Sequence, residues 1–146
     1  MRMNRRGALS AAMLAAALAV SACGTMSKGS SATNAVTAAQ EVPPVSSNGS
    51  GRVVTTLDKG TRMLRWTVTY SGLSGPVTAG HFHGPASTGA NAGVALPFTG
   101  SMTSPIEGSA TLTPAQMADL LAGKWYVKLH TAANPGGEIR GQITGH

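Results

Sequence analysis

The sequence predicts an all-β chain: a Greek-key-like antiparallel sandwich or barrel of about seven short strands with one short helix. Three observations carry this. Gly and Pro, 19 and 8 of the 146 residues, punctuate the chain at short intervals. The runs between them alternate apolar and polar residues with period two. A single segment carries both a helix start and a helix stop signal.

The elements follow in order. Residues 52–57 (RVVTTL) form a strand, and Asp58-Lys59-Gly60 turns the chain back. Residues 63–70 alternate Leu64, Trp66, Val68 and Tyr70 against Arg65, Thr67 and Thr69, so the two runs make a hairpin. Residues 78–83 are a third strand. Residues 94–98 are a fourth, where Pro97 marks an edge or a strand end, and residues 106–112 a fifth. In residues 113–123 Thr113 caps a helix, Pro114 occupies its first position and Gly123 ends it, with Met117, Leu120 and Leu121 on one face. Residues 124–130 place Trp125, Val127 and Leu129 inward. Residues 138–143 close the domain with Ile139 and Ile143 inward around Gly141.

The N-terminus reads as an export signal. Arg2, Arg5 and Arg6 precede a small, apolar run over residues 8–20, and Val20-Ser21-Ala22-Cys23 fits a lipobox. The run is shorter than the ~18–20 residues that span a bilayer. Cys23 is the sole cysteine, so it has no partner for an internal disulfide. Its expected fate is lipidation, with a diacylglyceryl group and a further acyl chain such as palmitate anchoring the chain to a membrane. The expected organisation is a signal peptide over 1–22, a lipidated Cys23 and Ser/Gly-rich flexible tether over 23–34, and a folded domain over 35–146. In a Gram-negative cell, Gly24 in place of Asp favours the periplasmic face of the outer membrane. Three of the eleven Lys and Arg residues precede Cys23, which leaves eight against five Asp and Glu, a net charge near +3. These charges are scattered without aromatic interleaving, so no nucleic-acid partner is expected.

Histidines carry the main chemical signal. His81 and His83 are two apart in a strand, so they share a face about 6.5–7 Å apart while Phe82 points inward. His130 alternates away from Leu129 and sits on the corresponding outer face. Three neutral imidazoles are a ligand set for copper, zinc, iron or nickel; the competing reading is surface or hydrogen-bonding residues beside a Gly-Pro turn. His146 is a fourth donor or a frayed end. Glu138 and Arg140 alternate onto one face, where they either orient a histidine or form a solvated pair. The acids Glu41, Asp58, Glu107, Asp119 and Glu138 are dispersed, and no Gly-x-Ser-x-Gly elbow occurs, so no catalytic constellation is visible.

Four stretches together carry a resemblance: residues 39–44 (AQEVPP), 80–86 (GHFHGPA), 118–127 (ADLLAGKWYV), and 129–143 from Leu129-His130-Thr131 through Asn134-Pro135-Gly136-Gly137-Glu138-Ile139-Arg140-Gly141 to Ile143. The chain resembles the CHRD domain family, with Lys128 where Asn is more usual. The resemblance implies an extracytoplasmic β-rich module, which in bacteria stands alone as an exported protein. A more distant likeness, through Gly72-Leu73, His81, His83, His130 and Arg140, is to copper–zinc superoxide dismutases. It implies copper as cofactor, although the zinc loop, the disulfide and a fourth copper histidine have no counterpart. The expected function is therefore a lipid-anchored envelope binding module, non-catalytic, with a copper site. The alternatives are a dismutase-like copper enzyme and a structural envelope protein without metal.

Overall fold

The computed structural model describes residues 29–146. The expected signal peptide, Cys23 and the first part of the expected tether lie outside the described residues. The described chain forms eight strands: β1 (Gly29–Thr37), β2 (Ser50–Asp58), β3 (Met63–Ser71), β4 (Val77–His83), β5 (Val94–Pro97), β6 (Ile106–Thr111), β7 (Trp125–Thr131) and β8 (Ile139–Ile143). One helix, α1 (Pro114–Leu121), separates β6 from β7. The strands make a single antiparallel sheet in the order β5-β4-β7-β8-β1-β2-β3-β6. It curls into a half-barrel, so sandwich and barrel resolve to one sheet folded on itself. Phe98, just past the edge strand β5, stacks on Trp66 of β3 with ring centroids 5.4 Å apart, which brings the two ends of the sheet together.

The alternation read from the sequence sets the core. Val53 and Leu57 of β2, Leu64, Trp66 and Val68 of β3, Phe82 of β4, Trp125, Val127 and Leu129 of β7, and Ile139 and Ile143 of β8 all face inward. The β2–β3 hairpin pairs Asp58 with Met63, and Asp58 Oδ1 accepts the Gly60 and Thr61 amides in the turn. The helix begins on a capping box: Thr113 Oγ1 accepts the Gln116 amide and Gln116 Oε1 accepts the Thr113 amide. Gly123, at φ 73°, ends it. Leu120 is buried and Met117 packs on the core, but Leu121 turns out to solvent, so the apolar face is narrower than expected.

Two expectations change. The strand count rises to eight, because the expected tether is ordered from Gly29 and forms β1. Its residues are small and polar, so no apolar alternation shows in the sequence. It is a strand because nine residues of β2 pair with it, from Gly29 opposite Asp58 to Thr37 opposite Ser50, while only Ala32 and Val36 reach the core. The C-terminal histidine is neither frayed nor a fourth donor to the histidine cluster: His146 bonds through Nδ1 to Ser30 Oγ and through Nε2 to Thr55 Oγ1. Among the described residues, no helix is long and apolar enough to cross a membrane.

Gly108 of β6 lies opposite Trp66, and a Cβ there would sit 2.3 Å from the indole Cζ2. Gly108→Ala is therefore expected to destabilise the fold by about 1–3 kcal/mol through overpacking. Urea denaturation reads this as a lower midpoint at unchanged slope; an unchanged midpoint would show that the indole gives way freely.

Candidate metal centre

β4 and β7 run antiparallel with His81 opposite Lys128 and Ala79 opposite His130. Their outer faces therefore carry His81, His83 and His130 on adjacent strands, while Phe82 and Leu129 fill the core. One ligand nitrogen from each histidine lies within 4.8 Å of the others. His81 Nδ1 and His130 Nε2 are 3.2 Å apart. That is close to the ~3.3 Å edge of a tetrahedral site with metal–nitrogen bonds of about 2.0–2.1 Å.

Hydrogen bonds to the backbone orient two of the rings. A carbonyl only accepts, so the ring nitrogen facing it carries the proton. His83 Nδ1 donates to Ala92 O at 3.0 Å and His130 Nδ1 donates to Pro135 O at 2.9 Å. Both rings thus present an unprotonated Nε2, and that of His130 accepts from His81 Nδ1 at 3.2 Å. His83 Nε2 is buried and has no hydrogen-bond partner, and a buried acceptor left unpaired costs about 1–3 kcal/mol. A cation held between the rings would satisfy it, and a backbone carbonyl accepting the other ring N–H is a usual outer support of metal-binding histidines.

The electrostatics agree. Burial holds the His83 pKa down to about 4, against the pull of its bond to Ala92, and burial together with His130 lowers that of His81. Both rings are neutral at pH 7, the form that ligates. His83 is buried, whereas His81 and His130 are half-buried, so the cluster opens to solvent on their side.

The other residues singled out from the sequence hold the surroundings. Arg140 is 1 % exposed. It stacks on Tyr126, with Cζ 3.6 Å from the ring centroid, and bonds Asn91 Oδ1, Ser87 O and Gln142 Oε1. It therefore secures the loop over residues 84–93, which carries the Ala92 carbonyl. Glu138 pairs with neither Arg140 nor a histidine. Its carboxylate accepts bonds from Ser47 Oγ, the Ser74 amide and hydroxyl, Thr131 Oγ1 and Asn134 Nδ2, tying four segments together. Lys128 bonds Glu41 at 3.2 Å and Gly136 O at 3.1 Å, and this buried pair holds the turn that presents Pro135 O to His130. Burial pushes the Glu41 carboxyl up, against the attraction of Lys128.

Sequence reasoning missed Tyr126, Ala92 and the Glu41–Lys128 pair. The alternation along β7 already put Tyr126 and Lys128 on the outer face with His130. The missing information was that loops bury that face.

A family model described as the CHRD domain matches residues 32–143. No curated protein and no solved structure matches the chain.

The Glu138 cluster predicts an acid-sensitive fold. Burial alone would raise its pKa, but hydrogen bonds from Ser74, Thr131 and Ser47 outweigh this and hold it at about 2, below its ordinary 4.5. A depressed carboxylate contributes stability that is complete above pH 4.5 and is lost as pH falls towards 2. Thermal melts should show that loss in the wild type and a flatter dependence in Glu138→Gln; equal slopes would contradict it.

Proposed function

The chain belongs to the CHRD domain family, and from that premise we propose that it is a non-catalytic, metal-binding module of the bacterial cell envelope, held to a membrane through lipidated Cys23, with copper as its ion. The observation that carries the metal reading is the buried, unpartnered Nε2 of His83, on a ring that offers one ligand nitrogen within 4.8 Å of one from His81 and one from His130. The donor set supports copper over its competitors. It is all imidazole, with no carboxylate or thiolate joining it among the described residues, and at such sites divalent copper binds most tightly of the first-row ions. The envelope reading is supported by the basic, apolar and lipobox segments before Cys23.

The dismutase-like alternative has less support. The zinc loop, the disulfide and a fourth copper histidine have no counterpart in the sequence, and Arg140, one of the residues that carry that likeness, is buried against Tyr126 and the loop over residues 84–93. Copper-loaded protein is expected to show no superoxide turnover above free copper; turnover abolished by His83→Ala would reinstate the enzyme.

Metal binding is tested on detergent-purified full chain carrying Cys23→Ser, which removes the only thiol that would compete for copper. Calorimetry is expected to show one copper ion bound with sub-micromolar Kd. His83→Ala should weaken binding beyond the roughly 10–100-fold loss typical of outer supports. Binding unchanged in His83→Ala would refute the site.

The anchor is tested by fractionating cells. Wild-type chain should partition with membranes and incorporate labelled palmitate, and Cys23→Ser should do neither. Equal partitioning and labelling would refute lipidation.

A further inference from the structure

Tyr126 is wholly buried on the outer face of β7, where an antiparallel sheet more commonly meets water. His83 on β4 lies directly opposite it. The two rings are nearly parallel, at 8° with centroids 5.1 Å apart. Arg140, from β8 on the other flank of β7, lies against the same ring. The phenol hydroxyl makes two bonds to one residue: it accepts the Ala92 amide at 2.8 Å and donates to the Ala92 carbonyl at 3.0 Å. That carbonyl is also the acceptor for His83 Nδ1.

From this arrangement we infer that Tyr126 is the positioning residue of the histidine cluster: its ring sets the plane of His83 and its hydroxyl locks the Ala92 peptide that fixes the His83 tautomer. The inference rests on the metal-site reading for its purpose, but not for its geometry. Tyr126 reaches the ion only through His83 and Ala92. Without the hydroxyl, the Ala92 amide loses its partner and its carbonyl is held by His83 alone. The ring then gains freedom to flip and to protonate Nε2, the nitrogen needed for the ion. His130 serves as an internal control, because its own tautomer is set by Pro135 on a different turn.

The test uses the full chain carrying Cys23→Ser, with and without Tyr126→Phe, which keeps the ring and removes the hydroxyl. Nitrogen-15 spectra of the metal-free protein should show His83 as the Nδ1–H tautomer in the parent. In Tyr126→Phe they should show a shift towards Nε2–H at His83 alone, with His130 unmoved. Copper titration should show about 10-fold weaker binding in Tyr126→Phe, the loss expected for an outer support. An unchanged His83 tautomer would overturn the inference, as would His83 and His130 shifting together, which would signal general loosening. A parent that binds no copper would refute the metal reading, while the metal-free spectra would still decide the role of Tyr126. Should Tyr126→Phe fail to fold, the parent decides: a slowly exchanging Tyr126 hydroxyl proton and an Nδ1 proton on His83 support the inference, and absence of either overturns it.

Discussion

An antiparallel half-barrel has one face for its core and ordinarily leaves the other to water, yet β7 and β8 are buried on both. The outer face is polar: Tyr126 and Lys128 on β7, Arg140 and Gln142 on β8. Each therefore needs a partner supplied by the loops laid over it. Arg140 and Gln142 take carbonyls of the loop over residues 84–93, Gln142 also takes Gly123 O, and Lys128 takes Glu41 and Gly136 O. Meeting these demands fixes the loops in place. The same fixed loops then present Ala92 O and Pro135 O to His83 and His130.

The histidines are thus held by a framework that would exist without them. A buried ion pair such as Lys128–Glu41 is weak evidence for stability, because desolvation offsets much of the attraction. Its contribution here is positional. Gly137 shows how tight the fit is. At φ 120°, a Cβ on it would come 2.5 Å from the Lys128 side chain and 2.6 Å from Glu41 Oε1. Only glycine suits a turn that passes so close to the pair while carrying Pro135 O towards His130.

Much of the fold was legible in the sequence where side chains alternate strongly. The hairpin around Asp58, the cap at Thr113, and the inward sets of β3 and β7 follow from period and turn chemistry alone. β1 was not legible, because its inward residues Ala32 and Val36 are too small to mark a period and its pairing is supplied by β2. The outward placement of His81, His83 and His130 followed from the two-residue repeat; their convergence did not, because it depends on the pairing of β4 with β7, strands far apart in the chain. Their tautomers did not follow, since these depend on carbonyls from loops whose course no local pattern specifies. The same holds for Glu138: its place at the start of β8 was visible, but the hydroxyls gathered on it come from segments as far away as Ser47.

The proposed copper site requires that His81, His83 and His130, whose ligand nitrogens lie within 4.8 Å of one another, take one ion with little rearrangement. The most direct measurement is a crystal structure of the chain grown with copper. One ion is expected, bonded at about 2 Å to His83 Nε2, His130 Nε2 and His81 Nδ1, with the bonds from His83 to Ala92 and from His130 to Pro135 intact. Copper bound elsewhere, or held by His83 Nδ1 with the Ala92 bond broken, would contradict it.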